Sequence, residues 1–166
     1  CIAIGYQIEA EQGNKGHALK KILSKVLSDD NSPLFQGLRE EKGLTYGVDV
    51  SFPKGDKAMI VSSVIDAKNV EEFIKTTDKL LSTCAESITQ ERLDDIKKAI
   101  KTSIDDMFGE PTTYALALNK SVLNQSPSTA DELMKLYDSI TLDDVKDAIK
   151  SLKKVGSFTV NPSKEN

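Results

Sequence analysis

Histidine is the scarcest chemically useful residue of this chain, with one copy, His17, among 166 residues. A hydrolytic zinc site needs two imidazoles and a carboxylate, with a further glutamate as the base for the metal-bound water. The residues after His17 read Ala-Leu-Lys-Lys, so neither a second histidine nor a glutamate follows within a helical turn. The sequence therefore excludes such a metal site here, and we interpret His17 as the start of a helix.

Cysteine is nearly as scarce, and Cys1 and Cys84 can form neither a disulfide framework nor a metal-ligand spacing with His17. Basic clusters are also missing, because the net charge of -4 is spread along the chain. This argues against nucleic acid or an anionic membrane surface as a partner. No apolar run approaches the roughly 20 residues that cross a bilayer, and the amino end lacks the basic and apolar regions of a signal peptide.

What the chain does contain is an apolar content of 39%, enough for one core without disulfides or metal. The first residue is not methionine, and residues 1–9 already contain an alternating run of large apolar residues, Ile2, Ile4, Tyr6 and Ile8. We therefore expect the chain to open inside a strand, as a domain cut from a longer protein would. We expect one domain over residues 1–160, followed by a polar tail over residues 161–166.

The hydrophobic periodicity predicts a strand, two helices, two strands, five helices and a final strand. Asn69 with Glu72, Thr89 and Thr141 are typical helix-capping residues and mark the start of three of these helices. The predicted segments after the first strand are a loop over 12–16, a helix over 17–28, a short helix from 33, strands over 44–52 and 57–66 joined by a turn at 53–56, helices from 69, 89, 112, 128 and 141, and a strand over 155–160. This order predicts an α+β domain with a small, mainly antiparallel sheet covered on one face by helices.

The most informative segment reads Ser-Pro-Leu-Phe-Gln-Gly-Leu-Arg-Glu-Glu-Lys-Gly-Leu-Thr-Tyr-Gly-Val over residues 32–48. Ser32 can cap a helix whose first residue is proline, and Gly43 can end that helix in a left-handed conformation. A strand is predicted to follow. The turn from helix to strand brings a fixed cation, Arg39, near a phenol, Tyr46, and this combination suits the binding of a polar group.

This segment resembles the signature of the pitrilysin or insulinase family of zinc metallopeptidases. Members are built from paired homologous halves, one with a His-Xaa-Xaa-Glu-His zinc helix and one without metal but with a Leu-Arg-Glu-Xaa-Xaa-Gly-Leu-Xaa-Tyr segment. The match is to the metal-free, C-terminal half, and it follows the element order of nearly the whole chain, although only residues 32–48 are specific. The resemblance implies the non-metal half of a zinc-dependent metalloendopeptidase, which closes the chamber and binds the substrate backbone.

The same resemblance implies site residues and partners. In the family, the arginine and tyrosine that match Arg39 and Tyr46 hydrogen-bond the substrate backbone, so we expect both to bind substrate. No catalytic residue, metal or cofactor is expected in this chain, and zinc is expected in the partner half. Thr45 departs from the small apolar residue that is more usual in the family. Without the resemblance, Arg39 reads as a surface charge, and Tyr46 could be core on a strand face that includes Leu44 and Val48.

The implied partners are a catalytic zinc-binding half, fused upstream or on a separate chain, and a peptide substrate. The isolated chain is then expected to be inactive. The alternative is a non-catalytic structural or assembly subunit related to the processing peptidases. The presence of both Arg39 and Tyr46 favours the peptidase, since a purely structural half needs neither. An unrelated helix-rich interaction module has little support.

Overall fold

A computed structural model describes residues 1–10, 13–53, 57–124 and 129–160 of the protein. Four strands and seven helices lie in these ranges, in the order predicted from the sequence. The strands are β1 (Ile2–Gln7), β2 (Asp49–Ser51), β3 (Ala58–Ser63) and β4 (Lys153–Thr159). The helices are α1 (Gly13–Ser28), α2 (Pro33–Phe35), which continues as a π-helix (Gln36–Glu41), α3 (Val70–Ser87), α4 (Gln90–Gly109), α5 (Pro111–Asn124), α6 (Ala130–Asp138) and α7 (Leu142–Lys150).

The four strands form one sheet in the order β2-β3-β1-β4, and each neighbouring pair is antiparallel. Alternate residues of the inner strand β1, Ile2, Ile4 and Tyr6, are buried, whereas Ala3 and Gly5 between them are only half-buried. The core joins the buried face of the sheet to apolar residues of α1, α3, α4 and α7. The predicted α+β class, with an antiparallel sheet covered on one face by helices, is therefore confirmed.

The strand predicted over residues 44–52 is much shorter in the structure. Only Asp49–Ser51 pairs with β3, in the antiparallel hairpin that the sequence predicted. Residues 44–48 form an irregular loop instead. The Thr45 side chain hydrogen-bonds to the end of β3 there, in place of the backbone hydrogen bonds that a longer strand would make. The second strand, predicted over 57–66, is Ala58–Ser63, and residues 54–56 of the predicted turn lie outside the described residues.

The loop predicted over residues 12–16 was wrong, since α1 already begins at Gly13. His17 lies one turn inside this helix and is exposed, so it does not mark the helix start. The tertiary structure supports the extra turn in two ways. Gly16 is buried, and the Lys15 ammonium lies 3.4 Å from a carboxylate oxygen of Asp144 on α7. Residue 12 of the predicted loop lies outside the described residues.

Of the helix caps predicted at Asn69, Thr89 and Thr141, two form. The Thr89 hydroxyl accepts from the Arg92 amide at 3.2 Å, and Thr141 forms a reciprocal capping box with Asp144. Asn69 makes no side-chain cap, because a 3₁₀ turn (Ala67–Asn69) leads into α3, so that prediction was wrong.

The remaining boundaries depart little from the sequence-based expectation. The helix predicted from residue 128 begins at Ala130 after its cap Thr129. Residue 128 and the predicted polar tail over 161–166 lie outside the described residues. None of the helices in the described ranges is long and apolar enough to cross a membrane.

Candidate functional site

The signature segment, residues 32–48, begins with a helix whose start depends on neighbouring residues. Pro33 occupies the first helical position, and the Phe35 amide donates to the Ser32 hydroxyl at 3.0 Å. This satisfies an amide that has no partner inside the helix. Leu34 and Leu38 are both fully buried, and they fix this segment to the core.

The chain then winds as a π-helix, Gln36–Glu41, a form that is rare and frequent at functional sites. Gly37 lets this turn approach α3 closely. A Cβ atom added to Gly37 would lie 2.6 Å from Cδ1 of Leu80, which is closer than real carbon atoms pack. The absence of a side chain at position 37 therefore leaves room for the Leu80 side chain of α3 against the π-helix.

Arg39 projects from the π-helix with 44% of its side chain exposed. Its guanidinium carbon lies 4.8 Å from the centroid of the Phe35 ring, a cation–π contact, and its Nε atom lies 3.4 Å from the Glu40 carboxylate. The two Nη groups have no hydrogen bond or ion pair to any described residue. The Phe35 ring and the Glu40 carboxylate therefore orient the guanidinium group of Arg39, while its two Nη groups remain accessible to another molecule.

Gly43 ends the π-helix and turns the chain toward the loop. Its φ of 60° lies in the left-handed region, as the sequence predicted. The Gly43 amide donates to the Arg39 carbonyl at 3.0 Å, and the Leu44 amide donates to the Leu38 carbonyl at 2.9 Å. These bonds satisfy the carbonyl groups of Leu38 and Arg39 in the turn that carries the Arg39 side chain.

Tyr46 lies in the loop that follows and is 93% exposed, so the interpretation of Tyr46 as a core residue was wrong. Leu44 and Val48 on either side are buried, at 6% and 8% exposure. A strand would have placed Tyr46 on the same side as both of them. The irregular backbone instead turns the phenol toward solvent, with no hydrogen bond to a described residue.

Thr45 is the residue that breaks the strand. Its hydroxyl hydrogen-bonds with the Ser63 hydroxyl, lies 2.8 Å from the Gly47 carbonyl oxygen and accepts from the Gly47 amide at 3.2 Å. The Val64 carbonyl lies 3.3 Å from the same hydroxyl. Both hydroxyl-bearing residues are buried, Thr45 at 7% and Ser63 at 8% exposure. The loop is therefore fixed to the end of β3.

Arg39 and Tyr46 line the same open cleft, which has a volume of about 490 Å³. The sequence predicted that the two residues lie near one another, and both contribute to this cleft. It did not predict the opposite wall, which the chain after β3 supplies. That wall contains Val64, which is 72% exposed, and the carboxylate of Asp66. No local motif marks these residues, because only the β2–β3 pairing brings them beside the signature segment.

Among the described residues, the side chains that bind metals are dispersed. Within the described ranges, no three histidine, cysteine, aspartate or glutamate side chains are grouped so that they could hold a metal ion. The cleft contains two acidic residues, Glu40 and Asp66, and one of them pairs with Arg39. Its donor set therefore suits hydrogen bonding to a polar chain better than it suits zinc.

The strongly shifted ionisable groups elsewhere have structural roles. The Tyr6 hydroxyl donates to Asp78 at 2.7 Å, and Lys154 contacts the other oxygen of this carboxylate at 2.7 Å, which ties β1, α3 and β4 together. Burial, followed by the hydrogen bond to Asp78, raises the pKa of Tyr6 far above its ordinary value. Burial also raises the pKa of the Cys84 thiol to about 11, so this thiol is protonated at neutral pH and is a poor nucleophile.

Comparisons with known proteins agree on the type of domain. The family described as peptidase M16 inactive domain matches residues 1–100. No curated protein matches the chain in sequence.

Many solved structures share the fold, among them the following three. A conserved protein from Enterococcus faecalis V583 is 18% identical with a TM-score of 0.80, and the alignment covers 99% of this chain and 40% of that one. The inactive peptidase domain of a suspected zinc protease from Bordetella parapertussis is 16% identical with a TM-score of 0.75, over 99% of this chain and 94% of that one. A peptidase M16 inactive domain from Pseudomonas fluorescens is 19% identical with a TM-score of 0.73, over 91% and 39%. This chain thus spans less than half the length of the first and third of these proteins.

Proposed function

We propose, from the premise that this chain belongs to the family of M16 peptidase inactive domains, that it is the metal-free half of a zinc-dependent metalloendopeptidase. In this proposal it closes the chamber over the substrate and holds the peptide backbone. Zinc and the reacting water belong to a catalytic partner half, either fused to this chain or on a separate one. The peptide is the substrate, and Arg39 and Tyr46 are the residues that bind it.

The observation that carries the proposal is the pairing of Arg39 and Tyr46 in one cleft. Each side chain is accessible, and each is supported by backbone that is buried or hydrogen-bonded. An exposed phenol and an exposed guanidinium fork provide donors that no described residue uses. Such donors match the carbonyl groups of an extended peptide.

The roles of the two side chains differ. Arg39 offers a rigid fork that stays charged at every relevant pH, so it can bind one carbonyl through two donors or orient a carboxylate. Tyr46 offers one hydroxyl donor on a ring that can also cover an apolar part of the substrate. Together they position the peptide, and donors directed at its carbonyl groups stabilise negative charge that develops on oxygen.

The test measures peptide hydrolysis by the complete peptidase, with this chain and its catalytic half together. Arg39→Ala and Tyr46→Phe should each lower kcat/KM by roughly a hundredfold, because each removes a donor that acts on the substrate. Zinc content should not change, and thermal stability should fall only slightly, since the contacts that Arg39 makes with Phe35 and Glu40 are partly exposed. Arg39→Lys should restore little activity, because lysine keeps the charge but loses the fork.

Two matched substitutions control for charge and for the loss of a phenol. Lys42→Ala removes a half-exposed cation that belongs to the same segment but pairs with Glu72 outside the cleft. Tyr114→Phe removes a phenolic hydroxyl on α5, away from the cleft. Both variants should retain parental activity. If Arg39→Ala and Tyr46→Phe behave like these controls, the substrate-binding proposal is wrong.

A second candidate is the non-catalytic assembly subunit, and one observation favours it. Helix α5 exposes large apolar side chains, Leu116, Val122 and Leu123, at 57%, 78% and 82%. Such a surface is typical of protein–protein contact. The same kinetic test separates the two candidates, because an assembly subunit would tolerate changes at Arg39 and Tyr46 and would lose complex formation when Val122 and Leu123 are made polar.

A further inference from the structure

We propose that Thr45 and Ser63 are positioning residues that hold Tyr46 toward the cleft. This inference rests on the proposed function, since it assigns to the pair a task in presenting Tyr46 to the peptide. Neither side chain is accessible enough to bind substrate itself, because only 7% of Thr45 and 8% of Ser63 is exposed. Their effect on the reaction therefore passes through the loop.

The loop is fixed at both neighbours of Tyr46. Before it, the Thr45 hydroxyl bonds to Ser63, the last residue of β3. After it, the Gly47 carbonyl oxygen lies 2.7 Å from the Ser63 hydroxyl and 2.8 Å from the Thr45 hydroxyl, and the Gly47 amide donates to Thr45 at 3.2 Å. A backbone held on each side of one residue leaves that residue few directions in which to point.

The protons of the Thr45 and Ser63 hydroxyl groups account for the hydrogen bonds that hold the loop. Each hydroxyl has one proton, and the acceptors within reach are the Gly47 carbonyl, the Val64 carbonyl and the other hydroxyl. One proton satisfies the Gly47 carbonyl, and the other lies in the contact between the two hydroxyl groups. Thr45 remains free to accept from the Gly47 amide. An apolar side chain at position 45 would remove the acceptor of the Gly47 amide and would leave the Ser63 hydroxyl with its bond to the Gly47 carbonyl, so the loop would be held by fewer hydrogen bonds.

The exposure of the Tyr46 ring is the second observation that supports the inference. A flexible loop would allow a large aromatic side chain to fold back onto apolar surface, and Leu44, Val64 and Ile65 lie around the same cleft. Tyr46 is nevertheless 93% exposed. Fixing its backbone keeps the ring extended, which lowers the ordering that binding would otherwise require.

The test is a double-mutant cycle in the complete peptidase. Thr45→Val, which keeps the shape and removes the hydroxyl, should lower kcat/KM by about tenfold, the loss expected from one or two hydrogen bonds. Thr45→Ser should restore activity. In a Tyr46→Phe background, Thr45→Val should have little further effect, because the group that it positions has already been removed. Ser63→Ala should follow Thr45→Val.

The matched control is Thr77→Val. Thr77 is fully buried on α3, and its hydroxyl donates to the Phe73 carbonyl at 2.7 Å, away from the cleft. It should lower stability without lowering kcat/KM. Amide hydrogen exchange tests whether the loss of activity comes from the loop or from lower stability of the domain. The Gly47 amide should exchange with solvent faster in Thr45→Val and at the parental rate in Thr77→Val.

The outcomes separate this inference from the proposed function. If Tyr46→Phe lowers activity but Thr45→Val does not, or if the two losses simply add, Thr45 does not position Tyr46 and the proposed function stands. If neither Tyr46→Phe nor Arg39→Ala changes activity, the proposed function fails and the positioning task fails with it. Unchanged Gly47 exchange in Thr45→Val would overturn the inference whatever the kinetics.

Discussion

The two sides of the cleft present an exposed side chain by different physical means. We name them the Arg39 side, comprising Pro33–Phe35 and Gln36–Glu41, and the Tyr46 side, residues 44–48. The Arg39 side relies on apolar packing, with Leu34 and Leu38 fully buried and Gly37 against Leu80. The Tyr46 side relies on hydrogen bonds between buried hydroxyl and backbone groups.

This difference predicts which property a substitution changes on each side of the cleft. Apolar packing is strong and non-directional, so its loss lowers the stability of the whole domain. A few hydrogen bonds contribute less to stability, but they fix direction. We therefore expect changes on the Arg39 side to act mainly on the free energy of unfolding, and changes on the Tyr46 side to act mainly on the geometry of the loop.

The largest expected effect is that of Leu38→Ala. It removes a fully buried side chain from the turn that carries Arg39 and should lower the free energy of unfolding by about 2–5 kcal/mol. Denaturant unfolding measures this loss. Val48→Ala is the counterpart on the Tyr46 side and should cost less, because Val48 is smaller and 8% exposed. Equal losses for the two variants would contradict the proposed difference between the sides.

Gly37→Ala should have the next largest effect. The added methyl group would meet Leu80 at 2.6 Å, so the π-helix or the leucine must move, at about 1–3 kcal/mol. The same substitution in a Leu80→Ala background should cost much less, because the clashing atoms are gone. Thermal unfolding of the four proteins of this cycle gives the coupling. Equal costs in both backgrounds would mean that Leu80 does not set the approach of the π-helix.

Ser32→Ala should follow, at about 1–2 kcal/mol. It removes the acceptor of the Phe35 amide at a site where Ser32 is fully buried, so water cannot replace the lost bond. Thr129→Ala removes a similar cap from α6, where the bond is exposed to solvent, and should cost less. Chemical denaturation of both variants checks the order. A larger loss at Thr129 would show that burial does not govern the strength of these caps.

The smallest expected effect is that of added zinc on the purified chain. Neither side of the cleft groups three metal-binding side chains, and His17 lies exposed on α1, so titration calorimetry should detect only weak, non-stoichiometric binding. His17→Ala should give the same result as the parent. A stoichiometric submicromolar site would place a metal centre in this chain and overturn its assignment as the metal-free half.

Local chemistry explains which features the sequence predicted correctly. Ser32 and Pro33 start a helix because a hydroxyl cap and a missing amide are favourable there in almost any context, and Gly43 adopts a left-handed φ at little steric cost. The caps Thr89 and Thr141 likewise act within three residues. Arg39 and Tyr46 were selected because their contiguous segment resembles a family signature, and their role in binding substrate stays a prediction.

Long-range partners explain the predictions that were wrong. Residues 44–48 alternate as a strand would, but the Thr45 hydroxyl bonds to Ser63, a residue 18 positions away, and Tyr46 turns outward. Asn69 and Glu72 have the spacing of a capping box, but Glu72 pairs with Lys42 instead. In each case a group that local rules assign to its own helix or strand found a partner in another element.

The sequence by itself thus determined the order of strands and helices, most of the helix ends and the identity of the two side chains proposed to bind substrate. The helix ends depend on contacts within a few residues, whose free energies are similar in most folds, whereas the two side chains were selected because their contiguous segment resembles a family signature. Only the tertiary structure decided that the Arg39 turn is a π-helix against α3, that Tyr46 is exposed, and that Val64 and Asp66 complete the cleft. Those features depend on which distant groups the sheet and helices bring together, and a single-chain pattern does not encode that choice locally.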